Sequence, residues 1–306
     1  MSTPDGRFWI TFNGEIFNYI ELRRELVDKG HRFETSSDTE VLLHLYQEEG
    51  PECVRRLNGE WSFGVWDAQE RKLFLSRDRF GIRPLVYTQT ATAFLFASEA
   101  KALFVSPEVP RRIDLRALNQ IFTFWFPVSP RTCFERVFEL PPGHSLIFHN
   151  GQIHVQRHWE TAYAPDRATV LSADDYAEDL WSKLTEAVTL RLRSDVPVGA
   201  YLSGGLDSSS TAAIANELSG NTLRTFSVTF EDREYDESSY QKTVVERLGT
   251  EHQEIRCTYA DIGRAFPDVI WHTETPVLRT APAPLFLLSA LVRNSGFKVV
   301  VTGEGA

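Results

Sequence analysis

The sequence predicts an α+β first half followed by an α/β second half with a doubly wound parallel sheet, and three observations carry that reading. Between residues 61 and 99, four runs alternate with a period of two, WSFGVWD, KLFLSRD, RPLVYTQ and AFLFASE, separated by polar or glycine-containing turns. Successive runs of this kind make an antiparallel meander. From residue 198 onward, strand-length apolar runs alternate with helix-length amphipathic ones, the order of a parallel sheet with crossover helices. Between Glu160 and Ser172 the stretch ETAYAPDRATVLS has neither period. A linker over residues 161–171 therefore divides a unit of residues 1–160 from one of residues 172–306.

In chain order, RFWITF alternates as a strand and runs into Asn13-Gly14-Glu15. A helical pattern follows, with Ile16, Tyr19, Ile20, Leu22 and Leu26 on overlapping faces and Gly30 as its stop. Past a short strand, Ser37-Asp38-Thr39-Glu40 reads as a capping box that opens the helix VLLHLYQEEG. The meander comes next, and SLIFHNGQIHV turns back at Asn150-Gly151 as a last hairpin. His149, His154 and His158 crowd that hairpin and are read as its residues rather than as metal ligands.

After the linker, DDYAEDLWSKLTEAVTLRL is helical, and VGAYLSGGLDSSS then reads as strand, glycine loop and helix N-terminus. Strand LRTFSVTF, helix ESSYQKTVVERLG, strand HQEIRC, helices ADIGRAFPDVIWHTE and PLFLLSALVRNSG, and strand FKVVVTGEGA complete the order. Ligands of such sheets sit at the carboxyl ends of the strands. Leu202–Gly205, Val228–Phe230 and Thr302–Gly305 are thus expected to converge.

The loop at 203–209 carries the chemistry. Gly204 and Gly205 let the backbone turn and let a bulky group approach, while the first N–H groups of the following helix lack intrahelical partners and attract an anion. Ser203, Ser208 and Ser209 add hydroxyl donors. The loop has neither the GxxxxGK[ST] spacing nor a lysine, so it is not the phosphate loop of kinases and GTPases. Asp207 would be repelled by a phosphate charge at ~4 Å by about 4 kcal/mol at an effective dielectric of about 20, which implies a bridging Mg²⁺. Asp207 and the serines could instead only cap the helix, for about 0.3–2 kcal/mol. A cap, however, does not need Gly204-Gly205.

With 306 residues, 42% hydrophobic and 24% charged, the chain is ordinary globular material. Its net charge of −10 argues against nucleic acid or an anionic membrane as partner. No run approaches the roughly 20 apolar residues of a membrane span. Cys53, Cys133 and Cys257 are too few and too scattered for a disulfide framework or a zinc site. A cytoplasmic protein acting on small molecules is the expectation.

The loop looks like the pyrophosphate-holding SGGxDS loop of enzymes that cleave ATP to AMP. FNGEIFNYIELRREL, SSDTEVLLHLYQEEG, LNGEWSFGVWD, RDRFGIRPL and LPPGH, with RSDVPVGAYLSGGLDSSS, TFSVTF, LGTEHQEI, HTETP and TGEGA, resemble the glutamine-hydrolysing asparagine synthetases over most of the chain. The resemblance implies a partial N-terminal-nucleophile amidohydrolase domain followed by a partial ATP-pyrophosphatase domain. It implies that Asn13, Gly14, Glu15 and Asp38 hold glutamine, although Glu15 also suits a first helical turn and Asp38 an N-cap. Ser203, Gly204, Gly205, Asp207, Ser208 and Ser209 would hold pyrophosphate and magnesium, with Asp207 as the Mg²⁺ ligand. Leu202 and Val228 would flank the adenine of ATP, and Thr302 with Gly303 would approach the nucleotide. Glu304 matches the catalytic acid, unless it only faces water beyond a strand. Arg279 and Thr280 fall where aspartate is expected, and His272 and Glu274 either join that wall or serve structure near a helix end.

Such glutaminases use a cysteine exposed as the first residue, whereas position 2 here is serine, and the family's acidic pair after TGEGA would follow Ala306. A fragment without turnover of its own is the expectation. For the whole protein the expectation is asparagine made from aspartate with ammonia from glutamine, with a homodimer left open. Amidation of another carboxylate and a non-catalytic fold remnant are the alternatives.

Overall fold

A computed structural model describes residues 1–162, 172–220 and 222–303. The chain divides into two compact units, Met1–Ala164 with Glu274–Pro276, and Pro165–Thr273 with Val277–Ala306. From residue 163 on, the expected linker lies outside the described residues.

The first unit holds β1 (Phe8–Ile16), α1 (Tyr19–Asp28), α2 (Asp38–Glu49), a 3-10 turn (Gly50–Arg55), β2 (Gly59–Asp67), β3 (Lys72–Arg77), β4 (Val86–Gln89), β5 (Phe94–Ala97), α3 (Ala100–Leu103), α4 (Leu115–Phe124), β6 (Phe138–Glu139), β7 (His144–His149) and β8 (Gln152–Arg157). Its strands form two antiparallel sheets, ordered β1-β2-β3-β7-β8 and β5-β4-β6. Phe8, Ile10 and Ile16 on β1 share a core with Leu22 and Leu26 of α1 and Val41, Leu42 and Leu45 of α2, so both helices cover one face of the larger sheet.

The expected meander is therefore split, with β4 and β5 leaving to make the second sheet. The turn RDRFGIRP causes the split. Asp78 accepts the N–H groups of Phe80, Ile82 and Arg83 at 3.0, 3.0 and 2.9 Å. Beside it the Arg77 guanidinium donates to the carbonyls of Gly81, Arg83 and Leu140 and to the Glu139 carboxylate. A loop that satisfies its own backbone around two buried charges does not fold back as a hairpin.

Two further readings change. Asn13-Gly14-Glu15 lies inside β1, which pairs with β2 through Ile16↔Gly59, so the helix begins at Tyr19 instead of at Ile16. A Cβ on Gly14 would stand 2.0 Å from the Glu60 carbonyl oxygen, and one on Gly59 would stand 2.2 Å from that of Glu15. One glycine on each strand thus lets the two backbones close, Gly14 opposite Trp61 and Gly59 opposite Ile16. At α2, Ser37 does cap Thr39 N–H, but the carboxylate of Glu40 turns to the N–H groups of Glu34 and Thr35, so the box is not reciprocal. Helices α3 and α4 lie outside the elements the sequence patterns predict, although Asp114 accepts the N–H groups of Arg116 and Ala117 as an ordinary N-cap of α4.

The second unit holds α5 (Ala173–Arg191), β9 (Val198–Tyr201), α6 (Leu206–Leu218), β10 (Arg224–Phe230), α7 (Ser238–Leu248), β11 (Glu251–Cys257), α8 (Tyr259–Thr273), α9 (Pro282–Asn294) and β12 (Val299–Val301). Every pair in its sheet is parallel, in the order β11-β10-β9-β12. The order reverses between β9 and β12, which makes their carboxyl ends the switch point. The α+β and α/β classes stand as read. No helix among the described residues is long and apolar enough to cross a membrane.

Candidate functional site

In the second unit, β9 ends at Tyr201 and Leu202 hands the chain into the loop, with its N–H on the Phe226 carbonyl at 2.9 Å and its carbonyl oxygen accepting from the Ser227 hydroxyl. Leu202 is 1% exposed and packs with Ala200, Ala212 and Ile214, so it anchors the loop to the core. Gly204 takes φ +86°, and a Cβ there would meet Tyr240 Cβ at 2.8 Å and Gln241 N at 2.9 Å. Only glycine fits both the conformation and the space.

The loop serines bind one another. Ser203 Oγ and Ser208 Oγ are 2.8 Å apart, Ser208 Oγ accepts the Ser203 N–H, and Ser203 Oγ accepts the Gly205 N–H. These bonds hold the curve of the loop around the N-terminus of α6. Asp207 stands exposed in the first turn of that helix, and the Ser209 hydroxyl is buried with no hydrogen-bond partner among the described residues. From the neighbouring strand, β12, the chain continues to Thr302 and Gly303. A Cβ on Gly303 would lie 2.7 Å from Ser208 N and 2.9 Å from Ser208 Cα. Thus Ser203–Ser209 and Thr302–Gly303, read from separate stretches of sequence, meet backbone to backbone.

Val228 continues β10 past the end of β9, and its carbonyl accepts from the Gln241 amide at 3.0 Å. Gln241 was not singled out in the sequence. It is 3% exposed, and its lone signal was helical spacing. Glu304 lies outside the described residues. Arg279 and Thr280 are exposed ahead of α9, where the Thr280 carbonyl accepts the Ala283 N–H. His272 packs against Phe286 of α9. Glu274 belongs to the first unit, where its carboxylate accepts the N–H groups of Ala100 and Lys101 at 2.6 and 2.7 Å. That carboxylate therefore serves the first turn of α3.

In the first unit, Asn13 and Glu15 alternate on β1 with Gly14 between them, and Asn13 Nδ2 donates to Ser98 Oγ at 3.1 Å. Asp38 arrives from the start of α2 and accepts the Ile16 N–H at 2.9 Å, which places it beside Glu15 in the chain path. Across the strand pair, Glu60 opposes Glu15 and is paired with Arg83 at 3.2 Å. The sheet also carries a groove of about 440 Å³ lined by Trp9, Thr11, Gly64, Trp66 and Phe96.

Below the turn that splits the sheets, His158 stacks on Trp61 and bonds the Arg77 carbonyl at 3.1 Å. Burial pushes its pKa below the ordinary histidine value, and it does the same for His252 and for His44, where His31 and Arg23 add to the effect and Glu40 opposes it. A histidine whose pKa the fold lowers binds fewer protons than it does unfolded once the pH drops to its ordinary value of 6.5, and takes its proton up only at its lower folded value. Stability contributed by these rings is complete above that pH and is lost as the pH falls through it. Melting measured at pH 7.5 and 5.5 is expected to show a lower Tm at 5.5. The carboxylates of Asp67 and Asp114, lowered by Arg7 and Arg131 respectively against their burial, lose their contribution only below their ordinary value of 3.8, outside that window. An unchanged or higher Tm at pH 5.5 would show that the rings titrate as in the unfolded chain.

The build that emerges is an antiparallel α+β unit followed in the same chain by a doubly wound α/β unit with a glycine-serine loop at its switch point. Among known families, residues 1–159 match the one described as "Glutamine amidotransferase domain" and residues 179–306 the one described as "Asparagine synthase". The chain belongs to the glutamine amidotransferase domain family.

Asparagine synthetase (glutamine-hydrolyzing) 1 of Bacillus subtilis is 35% identical over 307 residues, covering 100% of this chain and 48% of that protein. Asparagine synthetase (glutamine-hydrolyzing) 3 of the same organism is 35% identical over 98% of this chain and 50% of its own length. Amidase chyE of Penicillium rubens is 31% identical over 99% of this chain and 47% of its own length. The chain spans about half the length of the curated relatives it matches.

Proposed function

We propose that the protein containing this chain makes asparagine from aspartate, ATP and glutamine. The observation that carries the reading is the contact of Gly303 with the first turn of α6, which joins two motifs of one nucleotide site at the switch point. An oxygen of the aspartate β-carboxylate attacks the α-phosphorus of ATP, and pyrophosphate leaves. Ammonia freed from glutamine then attacks the activated carbonyl, and AMP leaves.

Ser203, Gly204, Gly205, Ser208 and Ser209 hold the pyrophosphate with hydroxyl and backbone donors, stabilising charge as it develops on the leaving group. Leu202 and Val228 flank the adenine, Leu202 through its backbone because its side chain is in the core. Thr302 and Gly303 close the other wall, and Glu304 faces the acyl-adenylate. Asp207 fits Mg²⁺, which is usually held by one or two carboxylates together with substrate phosphates and which would offset their charge. In the first unit, Glu15 and Asp38 pair with the α-ammonium of glutamine, and Asn13 and Gly14 supply polar contacts. Three free, buried cysteines suit a reducing cytoplasm.

Asp207→Ala in the intact protein is expected to lower ATP–pyrophosphate exchange by at least about 100-fold, the usual loss for one group stabilising developing charge, while glutaminase turnover stays within about twofold. Equal losses in both reactions would remove the local role of Asp207. Exchange that ignores aspartate and answers to another carboxylic acid would replace asparagine as the product.

A further inference from the structure

A row of four side chains in the first unit plays no part in the reaction proposed above. His31 follows α1, with Nε2 at 2.8 Å from Glu48 Oε1 and Nδ1 at 2.9 Å from His44 Nδ1. Nε2 of His44 stands 3.9 Å from Glu40 Oε1. Glu40 is 6% exposed, and its carboxylate accepts the N–H groups of Glu34 and Thr35, both at 2.7 Å, and the Thr35 hydroxyl at 2.6 Å. Onward from there, the Thr35 hydroxyl oxygen accepts the Ser37 N–H at 3.2 Å and Ser37 Oγ accepts the Thr39 N–H at 3.1 Å. Between Ser37 and Thr39 lies Asp38, holding the Ile16 N–H. Polar contacts therefore lead from a surface carboxylate to the residue read as a glutamine ligand.

Proton counting gives the row a direction. Nε2 of His31 faces a carboxylate and so carries a proton. Only one proton fits between two Nδ1 atoms 2.9 Å apart. In the neutral pair, His44 Nε2 therefore presents a lone pair to Glu40. A third proton has one place to go, His44 Nε2, directly opposite the carboxylate that gathers the 34–35 loop. The other charges facing the pair are Arg23 of α1, stacked over Phe33 at 4.3 Å and donating to the Thr35 carbonyl, and Glu40 and Glu48 of α2.

We propose that Glu40 is a positioning residue for Asp38 and that protonation of the His31–His44 pair draws Glu40 from the loop and loosens that positioning. The functional importance of this link rests on the reading of Asp38 as a glutamine ligand, while the link itself does not.

Amide hydrogen exchange on this chain tests it. Glu40→Gln is expected to speed exchange at Glu34, Thr35 and Ile16 by at least about tenfold. In the unaltered chain, Ile16 protection, corrected for intrinsic rate, is expected to fall only once the pH is below the ordinary histidine value of 6.5, and His31→Asn is expected to abolish that pH dependence. Ile16 protection that survives Glu40→Gln while Glu34 and Thr35 lose theirs would overturn the proposal, as would a pH dependence that persists in His31→Asn. Should Glu40→Gln fail to fold, the His31→Asn profile decides alone. In the intact protein, Glu40→Gln is expected to raise the KM for glutamine about tenfold with kcat within about twofold. An unchanged KM together with faster Ile16 exchange would fault the role of Asp38 and support the link.

Discussion

Asp78→Ala is expected to destabilise the first unit more than any other single truncation of a side chain in its loops. The Asp78 carboxylate is 1% exposed and accepts three backbone N–H groups, from Phe80, Ile82 and Arg83. Hydrogen bonds to a charged group contribute about 1.5–3 kcal/mol each, so their joint loss is on the order of 5 kcal/mol. That is a large share of the roughly 5–15 kcal/mol by which domains are stable. The neighbouring Arg77 would also lose the shape of the loop whose carbonyls it binds. Asp78→Asn is the graded control, because its remaining oxygen can still accept from Phe80 and Ile82 while its amide opposes the Arg83 N–H. Urea unfolding followed by fluorescence, with Trp61 buried next to the loop, reads both variants. A loss under about 1 kcal/mol for Asp78→Ala would mean that the loop is held by packing instead.

Gly303→Ala is expected to remove nucleotide chemistry while leaving the first unit untouched. Its Cβ would overlap Ser208 N, Ser208 Cα and the Asp207 carbonyl carbon, all backbone atoms within 3.0 Å. No side-chain rotation relieves such a clash, so the end of β12 and the first turn of α6 must separate. Displacement by about 1 Å is enough for losses of about 100-fold in a positioned site. ATP–pyrophosphate exchange in the intact protein measures the effect, with far-UV circular dichroism as the control for folding. Exchange retained within about twofold would show that the two segments need not touch for the site to work.

Where structure and sequence agree, short-range physics decides. Strands β2, β3, β7 and β8 form where the sequence places strands, the Asn150-Gly151 turn closes its hairpin with positive φ at both residues, and β9 to α6 reads as strand, loop and helix. The convergence of Ser203–Ser209 with Thr302–Gly303 was also legible, because right-handed crossovers leave few other arrangements of a parallel sheet. What could not be read depends on partners far along the chain. Glu15 and Ile16 have a helical pattern, yet Gly14 and Gly59 let β2 capture them. The spacing from Ser37 to Glu40 promises a reciprocal cap, but Glu40 finds better donors in the preceding loop. Glu274 serves the start of α3 more than 170 residues earlier in the chain, which no local signal announces. Asp38 lay among the residues singled out, but its bond to Ile16 becomes visible only once α2 packs on β1.

The strand order of the second unit also sets a schedule for synthesis. β9 gains one neighbour when β10 emerges, whereas its other edge pairs with Val299–Val301, about 100 residues later. At the usual pace of about 5–20 residues per second, that edge leaves the ribosome some 5–20 s before its partner exists. During this interval Val198–Tyr201 presents an open, apolar strand edge, the kind of surface on which nascent chains join one another. The contact of Gly303 with the loop fixed to that same strand can form only when the interval ends.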